Sequence, residues 1–437
     1  MHNLREKACM EHQHPDGYLR PGGLHGGGVI VLLLFISIAN AVDRQLPFIL
    51  ADAIKADLDL TDTQIGLMAG LAFALVYSMA SLPLARLADR SSARGVLIAS
   101  LAVWSLMTGL TGLIRSFPQL ILCRIGVAAS EAGSMPSAHA LIGGTFPRRR
   151  RAVVLALFSL GVPVGSTIGL VLGGWIADAA DWRRAFLFVG LPGLALAALS
   201  FATIPPSQQS HRHDHNAALS FVATVRHLLS FRSFRHMAAA SSLFACGSYA
   251  LNVFAPAFLM RIHGLTTAQA GAAVGLAFGL GGGLGTFIGG ALADALGQRD
   301  HAWRLWIPAI GLLLSAPAAL GTWLVDDPGL SIGLLTFTMF FGLLYFAPTF
   351  SAAQRLAPEG MHAMASAVLL FFLTLIGSSI GPMAVGKMSD LLAPHVGRLS
   401  LRYALCLMAI TMIWSAWHFL IGARSLGSDL IRSEAMR

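Results

Sequence analysis

The sequence predicts an all-α integral membrane protein whose twelve transmembrane helices form two pseudo-symmetric six-helix bundles. Of its 437 residues, 55% are hydrophobic and only 12% are charged, about half the charged share of a soluble domain. Apolar runs of about 20 residues recur along the chain, and each is long enough to cross a bilayer as a helix. The second half also repeats motifs of the first half at a constant offset.

A polar segment rich in His and Arg, residues 205–236, separates six predicted spans from six. Within it, Leu219 to Leu229 has the pattern of a short amphipathic helix that lies on the membrane surface. The predicted organisation is a tail, a bundle, a linker, a second bundle and a tail, at 1–27, 28–204, 205–236, 237–423 and 424–437. The predicted spans are 28–50, 63–85, 95–115, 118–143, 152–177, 185–204, 237–260, 267–292, 304–325, 330–354, 363–388 and 401–423.

An offset of 212 residues relates the two halves. It carries a motif of span five, GSTIG followed by Gly and Asp, onto GSSIG with Gly and Asp in span eleven. The paired positions are 165–169 with 377–381, Gly174 with Gly386, Asp178 with Asp390, and Asn40 with Asn252. Two parallel six-span repeats joined by a long loop are typical of secondary transporters.

Basic residues concentrate in the connectors on one side of the predicted spans, the side of both termini. Short basic loops are typical of the cytoplasmic face, so we expect a multi-pass protein of the inner cell membrane with both termini cytoplasmic. The net charge of +9 therefore reflects topology, and we expect no nucleic-acid partner because no basic domain lies outside the spans. The four cysteines are scattered without a paired spacing and are uninformative.

Two rows of glycine in span eight predict close packing of helices. Gly271, Gly275, Gly279 and Gly283 recur every four residues, and Gly281, Gly285 and Gly289 form a second row. Small residues at this spacing let helix backbones approach each other. A phosphate-binding loop is the functional alternative, but the motif GxxxxGK[ST] is absent.

Charged residues inside two spans mark the candidate site. Asp43 and Arg44 lie within the first span, where a charge costs at least a few kcal/mol unless it has a partner or a watery cavity. Arg124 and Glu131 lie two turns apart on span four, so they share a face about 10 Å long. We expect Asp43 to contact Arg124, with Glu131 in the same cavity. Arg44 either neutralises Asp43 or meets the substrate.

This group has the composition of a proton relay. If Arg124 moves between Asp43 and Glu131, or is captured by an anionic substrate, the abandoned carboxylate accepts a proton more readily. The alternative is a static buried ion-pair network. The candidate cavity residues of the second half are all neutral, and Ala255 occupies the repeat position equivalent to Asp43. The predicted substrate contacts are Arg44, Arg124, Asn252, Tyr345, Thr349 and Thr374.

The signature HExxH is absent from the sequence, and the two matches to GxSxG, GLSIG at 329–333 and GSSIG at 377–381, lie at or within predicted membrane helices rather than on a strand-to-helix turn. We therefore expect no catalytic residue, no metal and no cofactor, with the proton gradient as the source of energy. The expected protein is a monomer that contacts membrane lipids and a small-molecule or lipid-like substrate. An exporter of drugs or organic anions, a membrane sensor that does not transport, and a membrane lipid enzyme remain as alternatives.

The loop after span two, residues 85–94, resembles the signature GxLADRxGRR of the major facilitator superfamily. Asp89, Arg90 and Arg94 match it, and Asp294 belongs to a second copy after span eight. The resemblance implies the superfamily's fold of two six-helix bundles. It also implies that these four residues form a cytoplasmic charge network that stabilises the outward-facing state.

Within the superfamily the chain is most similar to spinster-type transporters. The segments that carry this resemblance are NAVDRQLPFIL at 40–50, RIGVAASEAGSMP at 124–136, LGVPVGSTIGLVLGGWIAD at 160–178 and WRRAFLFVGLPG at 182–193. The resemblance implies that Asp43, Arg124 and Glu131 are linked to proton movement. Animal members of the family are associated with export of sphingosine-1-phosphate and lysophospholipids, so we expect an amphipathic or anionic substrate.

Overall fold

The computed structural model describes residues 24–204, 221–357 and 361–435, and this part of the chain is helical almost throughout. Residues 1–23 of the predicted tail and residues 205–220 of the predicted linker lie outside it. In the first half the helices are α1 Leu24–Ile49, α2 Ala51–Leu58, α3 Asp62–Gly66, α4 Ala72–Arg90, α5 Ala93–Thr111, α6 Phe117–Glu131, α7 Ser134–Thr145, α8 Arg148–Ala179 and α9 Trp182–Thr203.

The second half has the same plan. Its helices are α10 Phe221–Ser230, α11 Arg232–His263, α12 Thr267–Leu276, α13 Gly283–Leu296, α14 Trp303–Leu324, α15 Pro328–Leu343, α16 Phe346–Arg355, α17 His362–Phe372, α18 Ser379–Val396, α19 Ser400–Cys406 and α20 Met408–Ala435. Short π-helical segments, Leu67–Leu71, Ala277–Gly282 and Leu373–Ser378, join α3 to α4, α12 to α13 and α17 to α18.

Ten helical stretches of the described chain are long and apolar enough to cross a membrane, and they correspond to eleven of the twelve predicted spans. The last stretch, Met364–Ala435, contains predicted spans eleven and twelve. The missing one is predicted span four, which is divided into α6 and α7 immediately after Glu131.

Proline explains why span four is broken, and the break recurs in span ten at the repeat offset. Pro136 and Pro348 each lack the N–H that would bond to the carbonyl four residues earlier. Those carbonyls belong to Ala132 and Leu344, where the helical pattern is interrupted in both halves. A discontinuous helix at membrane depth is typical of transporter binding sites. Because α6 ends at Glu131, the break lies beside the predicted charged group.

The glycine rows of span eight pack as predicted, each against a different helix. An added Cβ at Gly271 would overlap the backbone of α8 in the first half, and Gly275 also faces α8. The second row faces α15 of its own half, where a Cβ at Gly281 would lie 2.5 Å from the carbonyl oxygen of Thr336. Span eight is thus held closely on two sides.

The end of the chain extends further as a helix than predicted. The expected tail at 424–437 is helical to Ala435, and α11 begins at Arg232 within the expected linker. Asp429 connects the two, since its Oδ2 accepts hydrogen bonds from the N–H and the hydroxyl of Ser233, both at 2.7 Å. The short helix α10, Phe221–Ser230, occupies the place of the predicted amphipathic helix.

Candidate functional site

Asp43 lies in the interior of the first half. Its side chain is 3% exposed, and its Oδ1 accepts a hydrogen bond from the Thr108 hydroxyl on α5. Its Oδ2 has no hydrogen-bond partner among the described residues. A buried carboxylate with half of its acceptor capacity unused is costly, so this oxygen is a candidate position for a proton.

Arg44 forms an ion pair with Glu131 rather than with Asp43. Its Nε donates to Glu131 Oε1, which corrects the expectation that Arg44 neutralises its neighbour in sequence. Adjacent residues of a helix point about 100° apart, so Arg44 faces the break after α6 while Asp43 faces α5. The Arg44 side chain is 36% exposed whereas Glu131 is 1% exposed, so the arginine is the accessible member of the pair.

Arg124 is 3% exposed and interacts electrostatically with Asp43 and Glu131. No ion pair within 4.0 Å joins it to either acid in the described chain, so the expected Asp43–Arg124 contact is not formed. Its guanidinium instead lies 4.9 Å from the centroid of the Phe73 ring. Its Nε has no hydrogen-bond partner in the same part of the chain. The two cations and two acids are brought together, but in a pairing that differs from the predicted one.

Two aromatic residues that the sequence analysis missed support both arginines. Phe73 and Tyr77 stack at 5.6 Å on α4, and the Arg44 guanidinium lies 5.2 Å and 4.7 Å from their ring centroids. Phe73 thus contacts both guanidinium groups through cation–π interactions. The i, i+4 spacing of these aromatics in span two was the available signal, because it places both on one face.

Tyr249 of α11 is the second missed residue, and it brings the second half to the site. It interacts electrostatically with Arg44 and Tyr77, and its hydroxyl lies close to the side chain of Thr374. Asn252 lies three residues further along α11 and is half-buried, with its Oδ1 unpaired within the described residues. Of the predicted second-half contacts, Thr374 and Asn252 therefore lie on or beside the surface that faces Arg44.

Tyr345 and Thr349 lie in the core of the second half. Tyr345 is 3% exposed and packs against Phe244, with ring centroids 4.6 Å apart. Thr349 is fully buried. The structure does not bring either residue to the charged group.

The predicted cytoplasmic gate residues do not join the halves in this conformation, as far as the described side chains show. Arg94 donates to the carbonyl of Ile204 at 2.5 Å and to that of Phe201 at the end of α9, within its own half. Arg90 and Asp294 are exposed at the ends of α4 and α13, and Asp294 interacts electrostatically with Arg304. The side chain of Asp89 is outside the described residues.

Hydrogen bonds and ion pairs join the halves on the side opposite the termini. Arg261 of α11 binds Asp52 with Nε at 3.0 Å and Asp62 with Nη1 at 2.9 Å. Lys55 also binds Asp62, at 2.5 Å. The molecule is thus closed on that side. The described residues contain no group of three or more His, Cys, Asp or Glu side chains that could hold a metal ion.

This fold and charged site define a class of membrane transporter. The family model of the Major Facilitator Superfamily matches residues 33–382, and the chain belongs to that superfamily. It is 36% identical to an MFS-type efflux pump of Mycolicibacterium smegmatis over 424 residues, 96% of this chain and 97% of the relative. The protein is therefore a multi-pass membrane protein of a transporter family.

Within the superfamily the chain is similar to spinster proteins. It is 26% identical over 410 residues to Protein spinster of Drosophila melanogaster, 88% of this chain and 67% of the relative. A crystal structure of a bacterial homologue of the human lysosomal transporter Spinster, inward-facing and unoccupied, matches with a TM-score of 0.86 at 24% identity. That match covers 94% of this chain and 99% of the other.

Proposed function

We propose that this protein is a proton-coupled secondary transporter that moves an amphipathic or anionic small molecule by alternating access. The observation that carries the proposal is the group of two buried acids and two arginines, in which Arg124 has no ion pair among the described residues. The group as a whole is neutral when both acids are ionised. Adding one proton makes it cationic, and a cationic cavity attracts an anion.

The Arg44–Glu131 pair supplies the coupling in this scheme. When a proton neutralises Glu131, Arg44 loses its charged partner and its accessible guanidinium pairs with the substrate's anionic head. When the substrate leaves, Arg44 returns to Glu131 and the proton is released. Substrate and proton then favour each other's binding by the same factor, as linkage requires. Asp43, whose Oδ2 has no hydrogen-bond partner among the described residues, is the second proton carrier. Arg124 couples the two acids because it interacts electrostatically with both.

The aromatic pair Phe73 and Tyr77 and the facing Tyr249 favour a substrate with apolar parts beside its charged head. Similarity to Protein spinster supports a lysolipid or sphingoid phosphate as the substrate class. In this scheme the protein works as a monomer in the inner cell membrane with both termini cytoplasmic. The proton gradient drives it without a cofactor.

A second candidate function is export of drugs or organic anions unrelated to lipids, favoured by the 36% identity to an efflux pump. Asp43 and Glu131 would then also accept cationic drugs. A thermal-shift screen of lysolipids, sphingoid phosphates and common drugs at two pH values distinguishes the two by which class of compound stabilises the protein, and in the coupling scheme an anionic ligand should stabilise it more at the lower pH.

The coupling itself is tested with Glu131→Gln in proteoliposomes, using the best ligand of that screen. We expect uptake driven by a pH gradient to be abolished while exchange of substrate across the membrane persists. Glu434→Gln is the matched control, because Glu434 is exposed near the end of α20. Unchanged gradient-driven uptake in Glu131→Gln would refute the coupling role.

A further inference from the structure

The repeated aspartates of spans five and eleven, Asp178 and Asp390, lie where the halves meet on the side opposite the termini. Asp390 belongs to the second half, and it binds the start of span two in the first half. Its Oδ1 accepts from the N–H of Asp62 at 3.0 Å, and its Oδ2 accepts from the N–H of Thr63 at 2.8 Å. The Thr63 hydroxyl also donates to Oδ2 at 2.5 Å.

Asp178 makes the reciprocal contact. It belongs to the first half and binds the start of span eight in the second half. Its two carboxylate oxygens accept from the N–H of Thr267 at 3.1 Å and of Ala268 at 2.8 Å. The 212-residue repeat therefore places one aspartate of each half on the first two backbone amides of a helix in the other half.

Both of these helix starts carry a capping box of their own. The Thr61 hydroxyl accepts from the N–H of Gln64 at 3.2 Å, and the Thr266 hydroxyl accepts from the N–H of Gln269 at 3.2 Å. A capping box satisfies the third amide of the helix but leaves the first two without a partner. Those two amides are satisfied by the aspartate of the opposite half only while the halves are together.

The glycine one turn before each aspartate makes this approach possible. A Cβ added at Gly174 would lie 2.5 Å from the carbonyl oxygen of Thr267, and a Cβ at Gly386 would overlap the carbonyl of Asp62. In the pattern Gly-x-x-x-Asp, the glycine lets the backbone of the opposite half approach closely. The aspartate then accepts hydrogen bonds from the first two backbone amides of the helix that begins there.

We propose that Asp178 and Asp390 form two paired latches, and that both must release before the cavity opens on the side opposite the termini. Loss of a helix N-cap has a typical effect of about fivefold on an equilibrium constant. We therefore expect about fivefold for each latch and about 25-fold for both, since distant sites add independently. The proposal rests on alternating access but not on proton coupling, and the Arg261 ion pairs remain in place when the latches are removed.

Spin-label distances test the latches on the full chain without substrate or pH gradient. One cysteine pair, Ala56→Cys with Ala393→Cys, spans the halves on the latch side at two exposed positions, and Ser91→Cys with Gln298→Cys spans the terminus side. In Asp178→Ala with Asp390→Ala, the first distance should lengthen and the second shorten, with the ratio of this population to the closed one about 25-fold larger than in the wild type. Asparagine at the same positions keeps one acceptor and should give an intermediate shift.

Asp57→Ala and Asp326→Ala are the matched controls. Each removes an acid on the same side whose described ion pair, to Arg183 and to Arg402, stays within one half. Distance distributions that equal the wild type in the double variant, or that shift equally in the controls, would overturn the proposal. If the alanine variants do not fold, the same distances are measured in the asparagine variants. Distances equal to those of the wild type in these variants would also overturn the proposal. Because no proton gradient is used, failure here is separable from failure of the coupling scheme.

Discussion

Removing the arginine of the Arg44–Glu131 pair should destabilise the protein more than removing the carboxylate. Glu131 is 1% exposed and Arg44 is 36% exposed. Loss of Arg44 therefore leaves a buried charge without a partner, which costs about 3 kcal/mol. Loss of Glu131 leaves a cation that water still reaches and that lies over Phe73 and Tyr77, which costs about 1 kcal/mol. The asymmetry follows from the difference in exposure.

A double-mutant cycle measures this asymmetry. We expect Arg44→Ala to lower Tm in detergent by about 5 °C and Glu131→Gln by about 2 °C, for a chain of this size. The double variant should resemble Glu131→Gln, because the uncompensated carboxylate is gone. Arg424→Ala, which removes an exposed arginine of α20, is the control and should change Tm by less than about 1 °C. Equal losses in the two single variants, or additive losses in the double variant, would refute the reasoning.

Three further predictions concern the surroundings of this pair. Asp43→Asn should fold, as judged by an unchanged gel-filtration profile, yet lose most gradient-driven transport; near-normal transport would assign Asp43 a structural role. Phe73→Leu should weaken substrate binding and shift the pH profile of transport while Phe73→Tyr restores both, since only an aromatic ring supports Arg44 and Arg124; equal profiles in both variants would contradict this. The hydrogen bond from Arg183 holds the pKa of Asp57 below its usual value, so its stabilisation is present above pH 4 and lost as pH falls below it. Because the carboxylate is 39% exposed, Asp57→Asn should cost less than about 1 kcal/mol in thermal unfolding at pH 7.

Eleven of the twelve spans, the repeat and the charges within the membrane were predictable from the sequence because each depends on local information. Span length and hydropathy identify a membrane helix without reference to its neighbours. The offset between GSTIG and GSSIG identifies the repeat in the same way. The two glycine rows of span eight also predicted close packing correctly, since small residues on one helix face act on whatever helix is next to them.

Pairing of the charged residues was decided only by the tertiary structure. Sequence spacing placed Arg124 and Glu131 two turns apart on one helix, and both lie on α6, which ends at Glu131. Their partners could not be predicted from that spacing. The rotation of α1 then directs Arg44 to Glu131 and Asp43 to Thr108. Depth along a helix can be counted from the sequence, whereas rotation about its axis is set by contacts with other helices.

Contacts between the halves show the same division between local and non-local information. The repeat of Asp178 and Asp390 was visible in the sequence, but neither its partners nor its role was. Both aspartates bind backbone amides of the opposite half, and a backbone amide has no sequence signature. The sequence by itself determined which residues are unusual in a membrane. Packing of the two bundles determined which atoms those residues meet, because such contacts join positions about 90 to 330 residues apart that no local pattern relates.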